Sequence, residues 1–145
     1  MTNSFAYQFF NLALWAAGAG HFVILIASFQ VPIQLHWKRD LAQLIPFNRK
    51  LLWVQGGFTV LTIIAFGILT LVLHQELLRG DRAAMGLACF IAVYWTARVL
   101  VDAFYFSQAD WPPGRRFVVG HILLTLLFSA LASIFAALAW WNLSR

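Results

Sequence analysis

Four apolar stretches, covering approximately residues 9–29, 51–73, 84–106 and 118–141, limit what this 145-residue chain can fold into. Each reaches the roughly 20 residues that a helix rising about 1.5 Å per residue needs to cross about 30 Å of hydrocarbon. An ordinary soluble core has no room for four such segments. With 62% hydrophobic residues, 10% charged residues and a mean hydropathy of +0.79, the composition falls in the membrane class. Barrel strands would alternate polar and apolar residues, whereas runs such as residues 63–73 are continuously apolar. The expected fold is therefore all-α: an integral membrane, four-transmembrane-helix antiparallel bundle. It forms a single transmembrane domain over residues 1–145, without repeat or linker.

Loop charge sets the expected orientation. Lys38, Arg39, Arg49 and Lys50 lie between the first two stretches, and Arg115 and Arg116 between the last two, against only Arg79 and Arg82 in the opposite loop. A multi-pass protein of the cytoplasmic (inner) membrane with both termini outside follows. Residues 1–8 carry no Lys or Arg, and the first apolar run exceeds a signal-peptide core, so that span is expected to stay in the mature protein. The basic residues cluster beside spans rather than forming a stripe, which argues against nucleic acid and for anionic lipid head groups.

Between Pro32 and Pro46, Ile33, Trp37, Leu41 and Leu44 recur at helical spacing opposite Lys38, Arg39 and Gln43. That pattern predicts a short interfacial amphipathic helix over residues 33–44. Trp37, Trp53 and Trp111 at one edge, and Trp140 and Trp141 at the other, read as aromatic belts. Residues 110–116, DWPPGRR, read as a rigid turn. The lone Cys89 has no partner thiol and reads as a packing residue.

Ionisable side chains within hydrocarbon are rare and by default mark a functional site. His21, Arg98, Asp102 and His121 all fall inside the apolar stretches. Counted inward from the cytoplasmic ends, Asp102 and His121 come to lie about 5–6 Å deep and Arg98 and His21 about 12 Å deep, with Gln55 in the shallower layer. Arg98 and Asp102 are spaced i, i+4, so they share a helix face, with Tyr94 one turn further back. A buried ion pair by itself seldom adds net stability, because desolvating each ion costs several kcal/mol.

His21 and His121 admit three readings. Each imidazole could hold the bundle together by donating to a carbonyl or to Asp102. Alternatively, both could bind a haem iron axially while Arg98 pairs with a propionate. With Asp102 they also form a two-nitrogen, one-carboxylate metal set. The axial reading meets a tension, since the two histidines differ by about 7 Å in depth against about 4 Å between axial nitrogens. A quinone head group held by one histidine, with Arg98, Gln55 or a tyrosine opposite, fits that spread better. Small residues, notably 16–20 (AAGAG), Gly67 and Gly120, serve either close helix packing or space for a planar cofactor. His36 and His74, at opposite loop edges, are expected to be solvated at the interface.

The expected function is binding of a redox cofactor (haem b) or a quinone by His21, Gln55, Tyr94, Arg98, Asp102 and His121. In the haem case His21 and His121 are the metal ligands. The chain would then be one component of a larger membrane electron-transfer assembly, with the lipid bilayer and other membrane subunits or a second copy as partners. A non-catalytic structural or assembly subunit is the competing class, and a small oligomeric transporter or channel the third. No residue is assigned a catalytic role: Ser129 and Ser133 are one turn apart in the last stretch, but His121, the base a nucleophile there would need, lies two turns from Ser129.

Overall fold

A computed structural model of the chain describes residues 2–107, 111–112 and 114–144. Helices α1 (Thr2–Gln34), α2 (Trp37–Asp40), α3 (Pro46–Val72), α4 (His74–Arg79), α5 (Arg82–Phe104) and α6 (Arg115–Leu143) follow in order, with one 3-10 turn at Leu41–Gln43. No strand occurs among the described residues. Four helices, α1, α3, α5 and α6, are long and apolar enough to cross a membrane. Even the shortest, α5 with 23 residues, extends about 35 Å.

The long helices begin earlier than the apolar stretches. Pro46 opens α3 at its first turn, where its missing N–H is no loss and its fixed φ suits the helix. Arg115 and Arg116 open α6, because a helix does not stop where hydropathy does. Gly80 ends α4 at φ 78°, its N–H donating to the Glu76 carbonyl at 3.0 Å. A Cβ there would also sit 2.9 Å from the Asn142 side chain, so only glycine closes this turn without strain.

The expected continuous helix over residues 33–44 is not formed. α1 runs through Pro32 to Gln34, and then His36 takes a left-handed conformation at φ 51° and ψ 35° that interrupts the helical ladder. The segment becomes the four-residue α2, the 3-10 turn and an extended Leu44. Ile33 and Leu44 therefore do not share a helical face with Trp37 and Leu41. Trp37 instead meets Trp53 of α3 edge-on, with ring centroids 6.2 Å apart. Asp110 and Pro113 of the DWPPGRR turn lie outside the described residues; Gly114 leads into α6 at φ 138°.

α1 packs along α3, α5 packs along α6, and α1 against α6 joins the two pairs. Small residues allow the first of these contacts. A Cβ at Gly67 would lie 3.0 Å from the Phe22 ring and 3.2 Å from His21 Cβ, and one at Gly18 would overlap Leu71. Gly20 faces Leu127 and Leu131 of α6. In this stripe the small residues serve close helix approach, and Gly20 does not open a slot beside His21. The core is aromatic and aliphatic, with Leu14, Ile24, Ile91, Trp95, Leu131, Phe135 and Leu138 almost fully buried.

Candidate functional site

The last turn of α5 and the second turn of α6 bring Asp102 and His121 together. The Asp102 side chain is only 7% exposed, and both its oxygens are engaged. Oδ2 lies 3.1 Å from His121 Nε2 and accepts from the Thr125 hydroxyl at 2.8 Å. Oδ1 lies 3.7 Å from a terminal nitrogen of Arg98, one turn back on α5. Thr125 follows His121 by one helical turn, so both reach the same carboxylate from one face of α6. Arg98 itself is 42% exposed on its side chain and rests over the Phe128 ring, 5.4 Å from its centroid, where the ring face adds a cation–π attraction.

With Nε2 turned to Asp102, Nδ1 is the second polar atom of the His121 ring, and it makes no hydrogen bond to a described residue. Trp111, read from sequence as a belt residue, folds over this ring with centroids 4.3 Å apart. Phe117 stacks near it at 6.1 Å and 19°. A cavity of about 340 Å³ opens here, lined by Asp102, Ala103, Phe106, Trp111, His121, Ile122, Thr125 and Leu126. Its walls are apolar and aromatic, with the polar groups gathered around one carboxylate. Apolar walls around a few convergent polar groups are the general make-up of small-molecule sites.

His21 lies elsewhere. It is fully buried where the four long helices meet, against Phe66 of α3, Trp95 of α5 and Phe135 of α6. Its Nδ1–H donates to the Ala17 carbonyl at 2.7 Å, and its Nε2 accepts from the Trp95 indole N–H at 3.1 Å. Both ring nitrogens are thus used, and no lone pair is left for a metal. The His21 partner Trp95 lies seven residues, about 10 Å of helix rise, from the Asp102 that meets His121, and its other neighbour Phe135 lies further still along α6. The two histidines are therefore not brought to one iron, and the three-residue set of His21, His121 and Asp102 does not assemble. Among the described residues, no group of three or more His, Cys, Asp or Glu converges to hold a metal ion.

Gln55 is exposed on α3 and reaches neither cluster. Tyr94 packs edge-on against Phe66 and Trp95, at 5.1 and 5.2 Å, and does not line the cavity. The expected convergence of polar groups from all four helices is thus a two-helix site on α5 and α6. Ser129 and Ser133 donate to the carbonyls one turn back on their own helix. Cys89 is exposed on α5 rather than packed inside.

His74 departs furthest from its expected solvation. Only 4% exposed, its Nε2–H donates to Asn11 Oδ1 at 2.7 Å, and its ring lies 4.8 Å from Trp15. Nδ1 is buried without a hydrogen-bond partner among the described residues, and burial pushes the imidazole pKa below its ordinary 6.5. Asn11 and Trp15 are spaced i, i+4 on α1, so one helix face supplies both neighbours of His74. Comparison with protein-family models, curated proteins and solved structures finds no match to this chain.

Proposed function

We propose that the chain is an integral membrane protein whose α5–α6 site binds a quinone or hydroquinone head group, as one component of a larger membrane electron-transfer assembly. The observation that carries this reading is the Asp102 carboxylate, buried and shared by His121 and Thr125 beside an apolar, aromatic-walled cavity. A hydroquinone hydroxyl donates to His121 Nδ1. A quinone carbonyl accepts from an N–H of the same ring. Trp111 and Phe106 supply aromatic walls of the cavity.

An antiparallel arrangement in the bilayer is supported by which helix ends meet. Asn11 near the start of α1 pairs with His74 beyond the end of α3, and Phe10 stacks on Trp141 at the end of α6. Asp102 near the end of α5 pairs with His121 near the start of α6. The six Lys and Arg residues of the two predicted cytoplasmic loops then share the end of the bundle that carries the site, with both chain termini on the outer side of the inner membrane. Other subunits or a second copy supply the redox partner.

A structural-subunit reading has one observation in its favour, the fully satisfied His21 at the helix crossing. Extraction of gently purified protein separates the two. The ring-binding reading predicts near-stoichiometric quinone in the wild type and its loss in Asp102→Asn and His121→Ala, with Arg49→Gln as an unaffected control. A wild type free of quinone that also fails to take up a short-chain analogue would leave the structural role.

A further inference from the structure

Beside the elbow between α1 and α2 lies a second, larger cavity of about 650 Å³, open to the surface and lined by Pro32, Ile33, His36, Lys38, Arg39 and Trp53. We infer that this cavity is a binding site for the phosphate head of an anionic phospholipid. The residues divide into two kinds. Pro32 and Ile33 close the end of α1, and Ile33 is 75% exposed. With Trp53 of α3 they give an apolar wall. Lys38 and Arg39 of α2, with His36 at the bend, supply the rest of the lining.

The backbone is bent to make this arrangement. His36 is the one non-glycine residue with positive φ among the described residues, a conformation that L side chains rarely adopt. A straight continuation of α1 would carry Lys38 and Arg39 away from Ile33. The left-handed residue turns the chain so that the two cations share a cavity with the apolar wall. Strain held at a single position of this kind points to a use for the bend.

Charge complementarity selects the ligand. Lys38 forms no ion pair with a described residue. Arg39 meets Asp40 through Nε alone, at 3.3 Å, which leaves both terminal nitrogens for an oxyanion. The two cations outnumber the one carboxylate. A free phosphate satisfies the cations but leaves the wall of Pro32, Ile33 and Trp53 unused. A phospholipid uses both, its phosphate on Lys38 and Arg39 and its acyl chain passing Ile33. Trp37, set edge-on against Trp53, fixes this wall at the depth that amphipathic indoles prefer. The inference rests on membrane insertion and is independent of the ring site on α5 and α6.

Native mass spectrometry of the detergent-purified full chain, with phosphatidylglycerol and phosphatidylcholine at equal concentration, tests it. The wild type should retain phosphatidylglycerol preferentially, on the order of tenfold, since each cation near an anionic head group contributes appreciably. Lys38→Gln with Arg39→Gln should abolish the preference, and Arg49→Gln with Lys50→Gln, which removes the same charge outside the cavity, should keep it. Equal loss in both double variants would mean a diffuse electrostatic effect and would overturn the site. Millimolar inorganic phosphate added to the wild type gives a test independent of variant folding. Unchanged lipid retention supports a lipid site, and displacement by phosphate overturns it. Quinone content in the Lys38/Arg39 variant should stay at the wild-type level, which keeps this test separate from that of the ring site.

Discussion

The hydrogen bond from Trp95 to His21 decides whether the first span's histidine is a structural residue, and its strength can be worked out in advance. Both groups are almost fully buried, the indole N–H having His21 Nε2 as its partner at 3.1 Å. Trp95→Phe leaves the imidazole lone pair without a donor, and His21→Leu leaves the indole N–H without an acceptor. An orphaned buried polar group costs about 1–3 kcal/mol. Trp95→Phe also reduces the stack on Phe128, whose ring centroid lies 4.9 Å away. A double-mutant cycle removes the packing contributions and isolates the pair. In a membrane the unfolded reference finds other partners, so the expected coupling is about 0.6 to 1.7 kcal/mol. The assay is equilibrium unfolding in bicelles for the four proteins of the cycle, followed by tryptophan fluorescence or helical circular dichroism. A coupling within about 0.3 kcal/mol of zero would refute the hydrogen-bonded hub. So would loss of a bound chromophore in His21→Leu without loss of stability.

Three further outcomes follow from the same geometry. Gly67→Ala should destabilise the protein by about 1–3 kcal/mol, because its Cβ would press on Phe22 and His21. Gly56→Ala, which meets no atom within 4 Å, should be neutral or stabilising by up to about 1 kcal/mol; comparable losses at both sites in thermal melts would contradict the α1–α3 contact. His74, buried with a lowered pKa, takes up a proton more readily unfolded than folded. Its contribution is therefore complete above about pH 6.5 and declines as pH falls from there toward the folded-state value. His74→Gln should flatten stability across that window, and a slope unchanged from wild type would assign it to other groups. Thr125→Val removes one of the hydrogen bonds to Asp102. It should weaken short-chain quinone binding by about tenfold, the equivalent of about 1.4 kcal/mol, and equal affinity in a titration would place the ligand elsewhere.

The four long helices were legible because twenty continuous apolar residues leave a chain few alternatives. Their true starts, at Thr2, Pro46 and Arg115, were less so, since hydropathy marks where water meets lipid and a helix crosses that boundary freely. The segment 33–44 shows a different limit. Its apolar spacing was helical, but the left-handed His36 is a tertiary outcome that no periodicity encodes. Counting residues from the helix ends put Asp102 and His121 at one depth, and they are in contact. The same counting set the depths of His21 and His121 about 7 Å apart, whereas the His21 ring sits between Trp95 and Phe135, further from the Asp102–His121 pair than that.

Rotation about the helix axis was the missing quantity. Depth follows from counting, but the direction a side chain faces follows from packing. Gln55 has the right depth and points away, and Thr125 and Trp111 belong to the site without carrying charge. Thr125 could have been found from its i, i+4 spacing to His121. Trp111 could not, because a loop places it.

The most direct test of the ring site is photo-crosslinking with an azido-quinone in native membranes, mapped by peptide mass spectrometry. The account predicts labelling confined to residues around Phe106, Trp111, Ile122 and Leu126, suppressed by excess unlabelled quinone and lost in His121→Ala. Labelling that centres on His21 or on the Asn11–His74 end, or that survives His121→Ala unchanged, would contradict it.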